Sequence, residues 1–166
     1  RAALEGDFGA LLANGYAGLR EVVEFTHAEV TTEAFRGAVE AWLATARHPR
    51  FGRRYDDLTY QPMQELLRIL DHAGFKNFIV SGGGIEFMRP WSNRIYGIPP
   101  EQVVGSTART VFELRDEGPV LTKTLDHLFV NDKNGKPVGI HQFIGRRPIA
   151  AFGNSDGDRS EERRVG

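Results

Sequence analysis

The sequence predicts an α/β fold, and three observations carry the prediction. Phe78-Ile79-Val80 stops abruptly at Ser81-Gly82-Gly83-Gly84, and Ala150-Ala151-Phe152 stops at Gly153-Asn154-Ser155-Asp156-Gly157-Asp158. Each is a short apolar run ending in small and oxygen-bearing residues, the pattern of a buried strand that delivers a polar loop to the edge of a sheet. Around these runs lie segments of helical period, so helix, strand and helix alternate along the chain.

Taken in order, the elements begin with helices. Phe8 to Phe25 reads as helical but is interrupted at Asn14-Gly15, a turn dipeptide, so one helix or two can form there. From Thr32 to Ala46 the apolar set Phe35, Val39, Trp42, Leu43 and Ala46 recurs at helical spacing with Glu33, Arg36 and Glu40 opposite, and Thr31 or Thr32 can cap it. His48-Pro49-Arg50-Phe51-Gly52-Arg53-Arg54 breaks the pattern as a cationic connector. Met63, Leu66, Leu67 and Leu70 form the next helix face, Gly74 ends it, and Phe75–Val80 follows as a strand. Ile85–Tyr96 reads as a helix and Gln102–Gly105 as a further strand. Asp116-Glu117-Gly118, between two β-rich stretches, predicts a hairpin. Asn134-Gly135 predicts a turn into a short helix over Pro137–Ile144, and Pro148–Phe152 a strand before the acidic loop.

Three segments result: a helical module over residues 1–58, an α/β core over 59–158 and a tail over 159–166. The tail, Arg159-Ser160-Glu161-Glu162-Arg163-Arg164-Val165-Gly166, resembles the translation of a sequencing adapter and is set aside from fold reasoning as non-native, with a natural charged helix start as the alternative.

Composition narrows the function classes. The 166 residues are 40% hydrophobic and 26% charged, enough for one substantial core. A formal net charge of −1 gives no electrostatic case for nucleic acid. No apolar run approaches the roughly 20 residues of a membrane helix. With no cysteine, disulfides, thiolate catalysis and cysteine-based zinc sites are excluded within this segment. The chain opens at Arg1 without Met, so the absence of a leader pattern is uninformative; both cytosolic and exported proteins can lack Cys, and compartment and oligomeric state are left open.

The two polar loops carry the chemistry. If a helix begins after Ser81–Gly84, the glycines can turn backbone amides toward an anion, the helix start adds partial positive charge, and the Ser81 hydroxyl adds a donor. A plain strand-to-helix turn is the alternative. The loop has neither the Lys of a P-loop nor the spacing of a dinucleotide fingerprint. Asn154, Asp156 and Asp158 alternate like a calcium loop, but Arg159 stands where an EF-hand needs Gly and a strand precedes where it needs a helix. What remains is a hard oxygen cluster suited to Mg²⁺, or a solvated Asn/Asp turn. Lys136 lies between the loops in sequence. It is a turn lysine unless the fold brings it to Ser81 and Asp158, where it could neutralise phosphate and hold a carboxylate.

A strand ending in Ser-Gly-Gly, then a Lys, then a strand ending in Gly-Asn-Ser-x-x-Asp resembles the second, third and fourth motifs of the haloacid dehalogenase (HAD) superfamily, nearest its phosphoserine-phosphatase-like branch. The resemblance spans about Arg1 to Asp158. It implies a Rossmann-like core, the N-terminal helices as a cap, a β-hairpin insertion, and hydrolysis of a small-molecule phosphate ester through an aspartyl-phosphate intermediate with Mg²⁺. By the same resemblance Ser81, Gly82 and Gly83 bind phosphate, Lys136 contacts phosphate and nucleophile, Asn154 and Asp158 belong to the metal loop, and Asp158 orients water or Lys136. Asn154 stands where the family more often has Asp, which removes a charge from the metal loop. Arg50 and Arg89 are candidates to face the substrate.

The family's first motif, D-x-D-x-[Thr/Val], is absent. Asp56-Asp57-Leu58-Thr59 lacks its spacing, and Asp156-Gly157-Asp158 runs into Arg159-Ser160. The nucleophile strand is therefore expected upstream of Arg1, the parallel sheet is expected to lack its central strand, and the chain as given is expected to be an inactive fragment. A phosphotransferase or dehalogenase of the same superfamily, and a noncatalytic phosphate-binding module, are the competing readings.

Overall fold

A computed structural model describes residues 30–124, 127–153 and 158. The expected helical stretch from Phe8 to Phe25, Asn154, Asp156 and the tail lie outside the described residues. The described chain falls into two compact units, one holding residues 30–34, 108–124 and 127, the other residues 35–107, 128–153 and 158.

Helix α1, Thr32–Thr45, starts where Thr31 Oγ1 accepts the Ala34 N–H at 3.1 Å, and Glu33 in the first turn suits the positive end of the helix. One turn apart, Val39 and Leu43 are its buried residues, while Trp42 is left half-exposed and stacks on Tyr55 with ring centroids 4.9 Å apart. Helix α2, Gln61–His72, has Pro62 in its first turn and ends before Gly74, whose φ of 84° suits glycine.

Strand β1, Ile79–Gly84, leads directly into helix α3, Ile85–Tyr96, which closes on Gly97 in the left-handed conformation. Strand β2, Val103–Ser106, pairs with β1 in parallel, as a strand–helix–strand crossover requires. The core of this unit forms beneath that crossover: Ile85 and Met88 from α3 meet Ile98 and Val103, with Leu67, Ile79, Trp91 and Tyr96 packed around them.

The other unit contains the expected hairpin. Strands β3, Thr110–Arg115, and β4, Gly118–Lys123, pair antiparallel across Asp116-Glu117, with Arg115 opposite Gly118. After Leu128 the chain lies beside Thr107, which exchanges two backbone hydrogen bonds with Phe129 at 2.8 and 3.0 Å. It then turns through Asp132–Asn134 into the short helix α4, Gly135–Gly139, continued by one π-helical turn over Ile140–Ile144.

Two expectations are corrected. The first strand runs Ile79–Gly84 and not Phe75–Val80, so the glycine run belongs to the strand. Pro148–Phe152 is not a strand: among the described residues nothing pairs with it, and Ile149 and Phe152 are exposed. A strand exists only through its ladder partner, so an apolar run without one remains irregular. The described fold is mixed α/β with one parallel strand pair, one hairpin and flanking helices. No described helix is long and apolar enough to cross a membrane.

Candidate functional site

The site is built on an irregularity in β1. Ile79 and Val80 face Val103 and Val104, but the next paired residue on β1 is Gly84, opposite Ser106. Ser81, Gly82 and Gly83 thus bulge out opposite the single residue Gly105. Gly105 makes this closure possible, because a Cβ there would come within 2.7 Å of the Gly83 carbonyl oxygen and 2.9 Å of the Ile85 nitrogen. Inside the bulge the Gly83 N–H donates to Ser81 Oγ at 3.1 Å.

Three donors from distant segments hold this bulge. Lys136 Nζ donates to the Val80 carbonyl at 3.2 Å, Asn131 Nδ2 to the Ser81 carbonyl at 2.8 Å and Ser106 Oγ to the Gly82 carbonyl at 2.7 Å. Lys136 is buried in the first turn of α4, where the tight turn before it is closed by the Gly135 N–H donating to Asp132 O at 2.8 Å. Its ammonium also forms an ion pair with Asp158, and both side chains are nearly withdrawn from solvent, at 10% and 12% exposure. Gly153 supplies the seat for that carboxylate, since a Cβ there would fall 2.6 Å from Asp158 Cγ.

Ser81, Gly82, Gly83, Lys136 and Asp158 therefore gather around the bulge of β1. Asn154 lies outside the described residues. Arg50 sits on the connector with its guanidinium 5.4 Å from the Phe51 ring centre. Arg89 is engaged on α3, its Nε donating to Pro100 O at 3.1 Å and its Nη1 to Glu86 Oε1 at 3.2 Å. Just beyond the connector, the Arg54 hydrogen bond, with help from Arg94, holds the Asp56 carboxyl down at about 2.

Sequence reasoning missed Asn131 and Ser106. The available signal for Asn131 was the apolar run Leu128-Phe129-Val130 ending on a carboxamide, the same pattern that marks the two expected loops. Asp132 was missed as well; a Cβ on Gly82 would touch its side chain at 3.3 Å.

The described residues alone do not complete a magnesium site. No group of three His, Cys, Asp or Glu side chains converges among them, and Asp158, the only described member of the expected metal loop, is paired with Lys136.

No family model matches the chain, and no curated protein matches it. Among solved structures, the chain is similar to a conserved protein of unknown function from Anaerococcus prevotii DSM 20548, with a TM-score of 0.58 and 22% identity over 85% of this chain. That likeness concerns the fold alone, and the chain spans 43% of the length of that protein. A phosphoserine phosphohydrolase-like protein from Francisella tularensis subsp. tularensis SCHU S4 aligns over 98% of this chain and 72% of its own, at 16% identity and a TM-score of 0.46.

Proposed function

We propose that the chain is the phosphate-gripping part of a HAD-type phosphomonoester hydrolase of the phosphoserine-phosphatase-like branch. One observation carries the reading: Lys136 meets the backbone of β1 at Val80, next to Ser81, and pairs with Asp158, bringing three separated motifs together. A cation beside a bulge of small residues with a hydroxyl and backbone amides is a chemically suitable cradle for a phosphoryl group.

In this reading Ser81 Oγ and the Gly82 amide donate to phosphate oxygens, and Lys136 offsets their charge. Asp158 holds the Lys136 ammonium in place through their ion pair. Magnesium belongs to this reading only as the expectation placed on Asn154 and Asp158, and no step depends on it. The attacking carboxylate has no counterpart in these 166 residues, which contain no D-x-D-x-[Thr/Val]. Within this reading, a first-motif strand would pair with the edge of β1 that β2 leaves without a partner among the described residues. The missing motif also favours a second reading, a phosphate-binding module without catalysis. An upstream reading frame encoding an apolar strand with D-x-D-x-[Thr/Val] decides between the two.

The test is a titration of the Arg1–Gly166 chain with inorganic phosphate, with and without Mg²⁺, followed by calorimetry and ³¹P NMR. Saturable binding is expected, weakened about tenfold by Ser81→Ala, the loss of one donor to a charged group. Absence of saturable binding overturns the proposal. Hydrolysis of p-nitrophenyl phosphate by the same chain would overturn the assignment of the nucleophile to a segment outside it.

A further inference from the structure

The carbonyls of Ser81 and Gly82 are tied by two donors that are also tied to each other. Asn131 Nδ2 takes Ser81 O, Ser106 Oγ takes Gly82 O, and the Asn131 N–H donates to Ser106 Oγ at 2.9 Å. Asn131 is fully buried, and its Oδ1 has no hydrogen-bond partner among the described residues. A buried acceptor left unpaired is unfavourable, and an apolar side chain of similar size would avoid it. The carboxamide is therefore explained by its other end, the Nδ2 donor to Ser81. Gly139 accommodates it, because a Cβ on Gly139 would overlap the carboxamide and lie 3.1 Å from Val104 Cγ1.

The planar trans peptide gives this network a directional effect. In such a unit the C=O of one residue and the N–H of the next point to opposite sides. Fixing Ser81 O toward Asn131 fixes the Gly82 N–H away from it, and fixing Gly82 O toward Ser106 does the same for the Gly83 N–H, which reaches Ser81 Oγ. We infer that Asn131 and Ser106 are positioning residues that set the peptide planes of the Ser81–Gly83 bulge, and so preorganise its donors for a phosphate. The inference rests on the reading of this bulge as a phosphate cradle.

Amide hydrogen exchange and phosphate titration on the whole chain test it together. Ser106→Ala removes one tether at a half-buried position, Ser106→Thr restores the hydroxyl, and Asn131→Leu removes the other tether along with the unpaired acceptor. Exchange at Gly83, whose N–H reaches Ser81 Oγ, is expected to accelerate about tenfold in Ser106→Ala while the α3 amides keep their rates, with return toward wild type in Ser106→Thr. Phosphate affinity should fall and recover in parallel. Equal acceleration in α3 and at Gly83, unchanged exchange at Gly83, or local acceleration without loss of phosphate affinity each overturns the inference. If the wild-type chain takes up no phosphate, the cradle reading fails separately, and exchange alone still decides whether the tethers set the bulge.

Discussion

Asp56 is joined to Arg94, 38 residues further along the chain, by a hydrogen-bonded ion pair of 3.0 Å that ties the connector after α1 to the last turn of α3. Arg54 closes on the same carboxylate from its own loop, with Nε 2.9 Å from Oδ1. The Asp56 side chain is 2% exposed.

This arrangement predicts acid sensitivity with a definite sign. The Arg54 hydrogen bond is the largest influence lowering the Asp56 pKa from 3.8 to about 2, and Arg94 acts in the same direction. A carboxyl depressed on folding contributes stability that is complete above its unfolded pKa and is lost as pH falls through its folded one. The urea midpoint should therefore fall from about pH 3.8 toward pH 2, and Asp56→Asn should flatten that part of the profile. Glu113, lowered by its Arg115 hydrogen bond, acts with the same sign. An Asp56→Asn profile parallel to wild type would show that the pair makes no contribution.

Breaking the Lys136–Asp158 pair should cost more than an ordinary surface substitution. Lys136→Met leaves a nearly buried carboxylate without its cation and is expected to lower the unfolding free energy by about 3 kcal/mol. Lys136→Met combined with Asp158→Leu should recover part of that loss, because no charge is then stranded. Urea denaturation of the two single variants and the double variant gives the coupling; additive effects would argue against the pair.

Gly105→Ala should strain the bulge from below. Its Cβ would press on Gly83 O, Met88 Cε and Ile85 N at 2.7 to 2.9 Å, and two of these atoms are backbone. Overpacking of this kind costs about 2 kcal/mol. NMR shift changes centred on Gly83 and Ile85 should accompany it. A stable variant with an undisturbed Gly83 amide would mean the strand shifts freely, contrary to the prediction.

Gly153→Ala tests the seat of Asp158. The added methyl group would displace the carboxylate from Lys136, so the loss of stability should approach that of Asp158→Asn and should not add to it when the two are combined. Thermal unfolding of the three variants provides the comparison.

Much of the fold was legible where local chemistry decides it. Helix α3 keeps the expected ends, Ile85 and Tyr96, because the glycine run precedes it and Gly97 supplies the left-handed cap. The hairpin around Asp116-Glu117 forms because a turn separates two β-rich runs. Ser81–Gly84 misled for a physical reason: glycines read as a loop, yet a bulge opposite one residue lets the ladder resume at Gly84. Pro148–Phe152 misled because apolar pattern reports a tendency to burial and carries no information about a ladder partner. Asn131 escaped notice because its burial depends on Gly139, eight residues on, whose missing Cβ makes the room. No local periodicity reports such a fit.

The donors that shape the bulge all reach main-chain oxygens, from positions 24, 50 and 56 residues downstream of the carbonyls they bind. A carbonyl persists whatever side chain its residue carries, so Val80 can drift to other β-formers without loosening Lys136. Selection on the shape of the bulge then falls on Ser106, Asn131 and Lys136, and on the glycines that make room for them. A variant library scored for phosphate binding should therefore show broad tolerance at position 80 and narrow tolerance at positions 106, 131 and 139, so that the instructions for this small turn are written largely outside it.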